Sequence, residues 1–199
     1  MIQTLHQIDR ELTLALNGLH CPASDAIWML VTEKKVWFLL YAIAIIFLFK
    51  QLGWKKALVV IASVALSVGL IDSLSNLVKD SVARLRPCYD TWMLGHGLYM
   101  LEPRGGFFGF FSAHAANHFG MATALVMGFR NDPTHSYRGL AWGAWTWASL
   151  VAISRVFVGK HFLGDVLVGF TVGLIFASIL CGIVGKLFDS RASKSTLAS

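Results

Sequence analysis

The sequence predicts an all-α protein, a polytopic bundle of about five transmembrane helices preceded by an amphipathic helix at the membrane interface. Composition is the first indication, because 56% of the 199 residues are hydrophobic, 14% are charged and only four are prolines. Neither a disordered chain nor an ordinary soluble domain has this composition. The second indication is that apolar residues form runs close to the roughly 20 residues that a helix needs to cross a bilayer. The third is that most charged residues lie between those runs.

The N-terminal segment, residues 2–20, has the periodicity of an amphipathic helix. Its large aliphatic residues recur every three or four positions, at Leu5, Ile8, Leu12, Leu16 and Leu19. The charged residues 9–11 lie off this stripe, so we expect the helix to lie on the membrane surface and not to cross the membrane. The same charges interrupt what would be the apolar core of a signal peptide, and no cleavage is expected.

Five predicted spans follow the amphipathic helix. The first, at residues 27–49, is the least regular, because its unbroken apolar run begins only at Val36 and the charged residues 33–35 precede it. We place those charges near the interface or facing the bundle. Three tryptophans open the fourth span, as is usual where a helix crosses the headgroup layer. The other spans lie at residues 57–78, 112–129, 139–153 and 162–188.

The chain is predicted to form one domain, residues 1–190, followed by a disordered tail, RASKSTLAS, at 191–199. Lysine and arginine are concentrated between spans one and two, between spans three and four, and in the tail. These loops and the C-terminus are therefore expected to be cytoplasmic. Several cations also lie on the opposite face, which the rule does not explain unless they have a separate function.

The net charge of +6 does not indicate a nucleic-acid partner. Cations beside apolar spans usually reflect orientation and anionic lipid, and the sequence has no basic run interleaved with aromatics. The cysteines, Cys21, Cys88 and Cys181, lack the C-x-x-C spacing of a zinc or dithiol site. Cys21 and Cys88 could pair in an oxidising compartment, but isolated thiols are the simpler interpretation.

Three segments of the predicted non-cytoplasmic face carry ionisable side chains beside apolar spans. They are KDSVARLRP at 79–87, FSAHAANH at 111–118 and SRVFVGKHFLGD at 154–165. Ionisable groups in such positions mark functional sites by default, so we interpret the three segments as one site. The alternative is that the cations only extend toward lipid headgroups and the histidines make local hydrogen bonds.

The cations of these segments predict a phosphate site. Lys79, Arg86 and Arg155 would repel one another unless an anion lies between them. Guanidinium groups match phosphate oxygens bidentately, and a lysine adds a point charge. Ser112, at the predicted start of the third span, adds a hydroxyl and the free N–H groups of a helix N-terminus.

The histidines of the same segments indicate chemistry as well as binding. His161 and Asp165 are four residues apart and would share one face of a helix. Asp165 could then hold one ring nitrogen and leave the other free to attack phosphorus, as in the orienting logic of a Ser-His-Asp triad. His114 remains as the acid that protonates the leaving oxygen. Because one histidine must be neutral and the other protonated, the activity is expected to have a bell-shaped pH dependence.

Together the three segments resemble the signature of the type 2 phosphatidic acid phosphatase family, which also includes vanadium haloperoxidases. The family pattern is Lys, six residues, Arg-Pro; then Pro-Ser-Gly-His; then Ser-Arg, five residues, His, three residues and Asp. The first and third parts match in full at residues 79–87 and 154–165, whereas the second reads Phe-Ser-Ala-His at 111–114. With Ala113 where the family has glycine, the backbone there has less room to approach phosphate.

The resemblance implies a six-helix bundle, a phosphohistidine intermediate, and no metal or other cofactor. It assigns His161 as the nucleophile, His114 as the acid and Asp165 as the residue that orients His161. It assigns the phosphate ligands as Lys79, Arg86, Ser112 and Arg155. The sixth helix is not evident as a full span, and the amphipathic segment 2–20 is expected to take its place.

The family resemblance also implies a substrate and a location. The substrate would be a lipid phosphate or diphosphate, dephosphorylated at the periplasmic face of a bacterial inner membrane, with membrane lipids as the surroundings. Candidates are undecaprenyl diphosphate, phosphatidylglycerol phosphate, phosphatidic acid and the 1-phosphate of lipid A. The segments RPCYD and SAHAANHFG are most similar to members assigned to undecaprenyl diphosphate, which favours that substrate.

Two further residues, Asp72 and His118, could support the site. Asp72 precedes Lys79 on one helix face and could orient a cation, or could make a polar contact between helices. His118 lies four residues after His114, but the segment lacks the glutamate of a metalloprotease helix, so no metal site is predicted. Arg84 and Lys160 neighbour the site and could contact a diphosphate or headgroup, but they are interpreted as solvated interface charges.

Two rival functions remain open from the sequence. A phosphotransferase would pass the phosphoryl group to an alcohol instead of water. A lipid-phosphate binder or transporter would use the same cations without chemistry. Retention of His114, His161 and Asp165 together argues against the second, because binding alone would need only the cations.

Overall fold

The structure, a computed structural model, describes the backbone of residues 2–130, 132 and 134–197, and the side chains of these residues except 34 and 187–197. The described residues form seven α-helices and one short 3₁₀ turn and contain no β-strand, which confirms the all-α prediction. The helices are α1 (Ile2–Asn17), α2 (Pro22–Thr32), α3 (Lys34–Val82), α4 (Thr91–Gly95), α5 (Ala113–Phe129), α6 (Arg138–Phe157) and α7 (Leu163–Leu197).

The first predicted span has different bounds in the structure. Its expected start at residue 27 is wrong, because residues 22–32 form the separate helix α2 and the chain turns at Glu33. The Glu33 carboxylate accepts a hydrogen bond from the Lys35 N–H at 3.3 Å and so caps a new helix. α3 then contains the remainder of that span and the whole second span, joined at a bend where Gly53 has φ 71°.

Two of the described helices, α3 and α7, are long and apolar enough to cross a membrane by length and composition, over Lys35–Val82 and Leu163–Lys186. α5 and α6, with 17 and 20 residues, pack against them. As assigned, α7 extends through most of the segment 191–199, for which the sequence predicted a disordered tail. The side chains of that segment lie outside the described residues, and the division into a domain at 1–190 and a tail stays a prediction.

α5 lies at the centre of the bundle, and its close approach to α7 determines where the site forms. A Cβ on Gly173 would lie 2.2 Å from the Ala116 carbonyl oxygen, and one on Gly169 would lie 2.5 Å from that of Ser112. Only glycine allows the two backbones to come this close. At the start of both helices the Ser112 N–H donates to the Asp165 carbonyl oxygen at 3.0 Å. The first turns of α5 and α7 therefore lie side by side.

α1 is amphipathic as predicted, and its apolar stripe faces outward. Leu5, Ile8 and Leu12 are exposed, whereas Thr13 and Asn17 are fully buried against the segment that joins α6 to α7. The polar side of the helix therefore contacts the protein, and the apolar side is free to contact lipid. The three cysteines are free thiols, with Cys88 buried and Cys21 exposed.

Candidate active site

The predicted site residues meet at one end of the bundle, where four helices begin or end. Lys79 lies in the last turn of α3, and Arg155 lies in the last turn of α6. Ser112 is the N-cap of α5, and Asp165 lies in the first turn of α7. A helix N-terminus offers free N–H groups and a partial positive charge. The N-termini of α5 and α7 thus add to the cations of α3 and α6.

His161 and Asp165 form a buried pair. The imidazole Nδ1 lies 3.4 Å from Asp165 Oδ2, and the exposed fractions of the two side chains are 3% and 0%. Asp165 Oδ2 also accepts the Phe162 N–H at 3.2 Å. A carboxylate beside Nδ1 favours the tautomer with the proton on that nitrogen, which leaves the Nε2 lone pair free. Burial lowers the pKa of His161 to about 4 despite the nearby Asp165 carboxylate, so the ring is neutral at pH 7.

The turn that carries His161 is built on Arg155. The N–H groups of Lys160 and His161 donate to the Arg155 carbonyl oxygen at 3.0 and 3.1 Å. Gly159 has φ 76°, and a Cβ there would lie 2.8 Å from the Tyr99 carbonyl oxygen. Glycine meets both the left-handed conformation and the lack of space. The predicted nucleophile and a predicted phosphate ligand are therefore held by one tight turn.

Arg86 is positioned by a short antiparallel contact within the loop before α5. The Arg86 N–H donates to the Phe107 carbonyl oxygen at 2.9 Å, and the guanidinium Nε donates to that of Phe108 at 3.1 Å. A Cβ on Gly109 would lie 3.0 Å from Arg86 Cγ, 3.1 Å from Asp165 Oδ2 and 3.5 Å from His161 Nδ1. One backbone position thus contacts a predicted phosphate ligand and both members of the buried pair.

Arg155 is buried, and its guanidinium group is paired with Glu102. Its two Nη atoms donate to the two carboxylate oxygens of Glu102 at 3.1 and 2.9 Å, while its buried Nε has no hydrogen-bond partner among the described residues. Lys160 Nζ lies 3.8 Å from the same carboxylate and donates to the carbonyl oxygens of Pro103 and Arg104. Lys160 is therefore buried in the loop, so its interpretation as a solvated interface charge is wrong.

The other predicted ligands and the predicted acid lie in the same cluster. The charge of Lys79 interacts with those of Arg86 and Asp165. His114, half-buried in the first turn of α5, interacts electrostatically with His161 and with both Arg86 and Arg155. The buried Ser112 hydroxyl accepts the Ala115 N–H at 3.4 Å, which leaves its own proton available for a ligand.

The two supporting residues have different surroundings. Asp72 accepts a hydrogen bond from Asn117 Nδ2 at 2.7 Å, which links α3 to α5, and its charge also interacts with Lys79. His118 is buried, its Nδ1 lies 2.8 Å from the His114 carbonyl oxygen, and its ring meets Trp37 edge-on with centroids 4.6 Å apart. Among the described residues, no three His, Cys, Asp or Glu side chains are grouped as metal ligands would be.

Three residues of the site were missed by sequence reasoning: Asp9, Arg84 and Glu102. Arg84 donates to Asp165 Oδ1 at 2.7 Å and to Asp9 Oδ2 at 2.6 Å. Its side chain is 18% exposed, so its interpretation as a solvated interface charge is also wrong. A signal for Asp9 was present in the four-residue spacing of Asp9, Thr13 and Asn17 on the polar side of α1. Glu102 has no comparable pattern around it.

Comparison with known proteins agrees with this geometry. The model of the PAP2 superfamily matches residues 54–189. The lipid A 4'-phosphatase of Bacteroides thetaiotaomicron is 35% identical over 198 residues, which covers 98% of this chain and 82% of that protein. The lipid A 4'-phosphatase of Porphyromonas gingivalis is 33% identical over 170 residues, 85% of this chain and 70% of that protein.

Two solved structures share the fold. The crystal structure of the PAP2-type phosphatidylglycerolphosphate phosphatase of Bacillus subtilis superposes with a TM-score of 0.69 at 24% identity and covers 92% of this chain and 87% of that chain. The structure of Aquifex aeolicus LpxE gives 0.62 at 24% identity, with 85% and 92% covered. The chain therefore belongs to the PAP2 superfamily. It is a membrane lipid phosphatase with the family's helical fold.

Proposed function

We propose that the chain hydrolyses the 4'-phosphate ester of lipid A through a phosphohistidine intermediate on His161. The observation that carries this proposal is the 35% identity with a lipid A 4'-phosphatase over nearly the whole chain, and the second such relative supports it. The sequence had favoured undecaprenyl diphosphate and, for lipid A, the 1-phosphate. The two relatives are the reason for preferring the 4'-phosphate.

In the first step, His161 Nε2 attacks phosphorus in line with the ester oxygen. An N–P bond forms as the P–O bond to the sugar breaks, and His114 gives a proton to the leaving oxygen. The neutral state of His161 supports this role, because burial lowers its pKa to about 4. In the second step, water attacks phosphorus and transfers a proton to His114, and the N–P bond to His161 breaks. Inorganic phosphate leaves, and both histidines return to their starting states.

The remaining predicted ligands would stabilise the transferring phosphoryl group. Arg86 and Arg155 would pair with its equatorial oxygens, Lys79 would add a further charge, and Ser112 would donate its hydroxyl and adjoining N–H groups. Fixed positive groups around a transferring phosphoryl group usually supply most of the rate enhancement. Their placement near His161, at the ends of α3, α5 and α6 and in the loop after α3, supports this assignment.

The site would face the periplasm of a bacterial inner membrane, with the C-terminus in the cytoplasm. Lysine and arginine in the loops at the other end of the bundle support this orientation, because the cations at the site end have a separate function in binding phosphate. The acyl chains of the substrate would enter from the outer leaflet, and its phosphorylated sugar would reach the cluster of cations.

The experiment is a phosphate-release assay on the purified protein in detergent with chelator present. The substrates are lipid A, undecaprenyl diphosphate, phosphatidylglycerol phosphate and phosphatidic acid. We expect phosphate release from lipid A, loss of the 4'-phosphate in the mass spectrum of the product, and no release by His161→Ala. Asp90→Asn, which alters a carboxylate outside the predicted site, is the matched control and should retain activity.

Each alternative has its own outcome. Release that persists in His161→Ala would disprove the phosphohistidine route. Retention of the 4'-phosphate, with another substrate of the panel preferred, would disprove the substrate assignment but not the chemistry. If added glycerol or a second lipid took up the phosphoryl group faster than water, the chain would be a phosphotransferase.

A further inference from the structure

The polar side of α1 is bonded to the segment that carries His161. Asn17 Nδ2 donates to the carbonyl oxygens of Val156 and Phe157 at 3.2 and 3.0 Å. Thr13 Oγ1 accepts the Leu163 N–H at 2.9 Å. Asp9 Oδ1 accepts the Gly164 N–H at 2.8 Å. Three successive turns of α1 thus fix the backbone on both sides of His161.

Arg84 connects α1 to the Asp165 carboxylate. Its Nη1 donates to Asp165 Oδ1 and its Nη2 donates to Asp9 Oδ2, at 2.7 and 2.6 Å. The guanidinium carbon also lies 4.1 Å from the centroid of the Phe162 ring. Charge-assisted hydrogen bonds of this length are among the strong ones in proteins. The guanidinium group is therefore held on three sides.

Arg84 is the counter-ion of the buried Asp165 carboxylate. The Asp165 side chain is 0% exposed, and a buried carboxylate is stable only if it is paired and hydrogen-bonded. Arg84 supplies the positive charge at Oδ1, so Oδ2 remains for His161 and the Phe162 N–H. Asp9 in turn balances the charge of Arg84. The result is a continuous chain of contacts from α1 to the imidazole.

We propose that Asp9 and Arg84 are positioning residues that hold the Asp165 carboxylate in a fixed orientation, and that thereby set the ring orientation and tautomer of His161. The inference rests on the proposed role of His161 as nucleophile. It assigns to the N-terminal interfacial helix a part in catalysis beyond membrane contact. Neither residue contacts the phosphate in this scheme, so both act through Asp165.

The charges around His161 determine the expected direction of the pH effect. The charged or titratable groups that interact with His161 are Asp165 of α7, His114 of α5, Arg155 of α6 and Arg86 after α3. Behind Asp165 lie Lys79 of α3, Arg84 after α3 and, paired with Arg84, Asp9 of α1. Arg84 offsets the negative charge of Asp165. Without Arg84, that charge would favour the imidazolium form of His161. The acid limb of the kcat profile should then move to higher pH.

The test compares Arg84→Gln with the matched control Arg10→Gln. Arg10 forms a similar part-buried ion pair between α1 and the loop, with Nη2 2.7 Å from Asp90 Oδ2, but it does not contact Asp165. We expect Arg84→Gln to lower kcat by about 10- to 100-fold, as loss of a partner that orients a functional histidine does in metal sites. Its inhibition constant for inorganic phosphate should stay unchanged and its acid limb should move to higher pH. Arg10→Gln should keep the wild-type kcat and acid limb.

Two milder variants keep the test decisive if Arg84→Gln does not fold. Asp9→Asn keeps the shape of the side chain and removes only its charge, and it should lower kcat with unchanged phosphate inhibition. Arg84→Lys should recover part of the activity, because an ammonium group can reach one carboxylate but cannot bridge two as a guanidinium does.

The inference is overturned if Arg84→Gln or Asp9→Asn has the wild-type kcat and acid limb. It is also overturned if Arg84→Gln and Arg10→Gln lose activity equally and only in proportion to folded protein, since that is the result of a purely structural ion pair. The proposed function fails separately, through a His161→Ala variant that still releases phosphate.

Discussion

Two arginines at the site bind carboxylates in different ways. Arg84 gives its two Nη atoms to two carboxylates of different helices, Asp9 and Asp165, at 2.6 and 2.7 Å. Arg155 gives both Nη atoms to the single carboxylate of Glu102, at 3.1 and 2.9 Å. The first arrangement joins separate parts of the fold. The second is the bidentate geometry that an arginine also uses with phosphate.

The difference indicates which of the two pairs a substrate can replace. Breaking the contacts of Arg84 would leave Asp165 buried without a counter-ion, which is costly. Glu102 lies in a loop, its side chain is 21% exposed, and it can return to water when a phosphate takes its place. The buried Nε of Arg155 has no partner in the part of the chain that the structure describes, and it offers one more donor to the incoming anion. We therefore expect Arg84 to stay paired through the reaction and Arg155 to exchange Glu102 for phosphate.

The largest expected effect comes from the carboxylate on the Arg84 side. Asp165→Asn should lower kcat by roughly 10³- to 10⁴-fold, because an amide cannot hold the imidazole in the tautomer that leaves Nε2 free. The inhibition constant of inorganic phosphate should change little, since Asp165 does not contact the anion. Steady-state assays with lipid A measure both quantities, and Asp90→Asn is the control for loss of a carboxylate outside the site. A kcat within tenfold of the wild type would contradict the orienting role.

A smaller effect of a different kind is expected on the Arg155 side. Arg155→Lys should lower kcat/KM by about 100-fold, because a point charge replaces a planar group that can bind two oxygens of the phosphate. In contrast to the Arg84 variants, it should also weaken inhibition by inorganic phosphate. The same assays provide the measurement. Unchanged phosphate inhibition would place Arg155 outside the phosphate site and remove the basis of the comparison.

Most of the fold could be predicted from the sequence, and the misses have a common physical origin. Apolar runs and interfacial charges predict helices well, because the hydrocarbon layer leaves few other structures for the backbone. The start of α3 was missed because the charged residues 33–35 were placed inside one span, whereas the Glu33 carboxylate caps a new helix there. The apolar stripe of α1 faces outward because the polar side of the helix bonds to the start of α7, a contact that the sequence of α1 alone does not reveal.

The residues of the site also fall into those that local sequence spacing predicts and those that only the folded structure brings together. Residues with fixed spacing, such as His161 and Asp165, could be placed beside one another because one helical turn determines their separation. Arg84 and Asp9 are 75 residues apart, and Glu102 and Arg155 are 53 apart. Such contacts depend on the folding of the loop between α3 and α5, for which local sequence has no periodic signal. The ion pairs that hold the predicted residues could be found only in the structure.

The smallest expected effect tests Glu102 directly. Glu102→Gln removes the charge that competes for Arg155 while it keeps the size of the side chain, so inorganic phosphate should inhibit about tenfold more strongly, a change of about 1.4 kcal/mol. Burial opposes ionisation of Glu102, but Arg155 and Lys160 outweigh it and hold the pKa of the carboxyl below its usual value. Glu102 therefore becomes protonated only as the pH falls through that lowered pKa. The difference from wild type should accordingly persist between about pH 5 and pH 8.

The matched control for this comparison is Glu33→Gln, which changes an exposed carboxylate that caps α3 and does not contact Arg155. If Glu102→Gln weakened phosphate inhibition instead, Glu102 would be a residue that holds Arg155 in place, and both arginines would then have fixed partners. If it strengthened inhibition as expected, the two pairs would be distinct in function. Because both pairs use the same ionic chemistry, the distinction would lie in the burial of the carboxylate and in the element that carries it. A carboxylate in a buried helix turn resists exchange, whereas one in a partly exposed loop permits it.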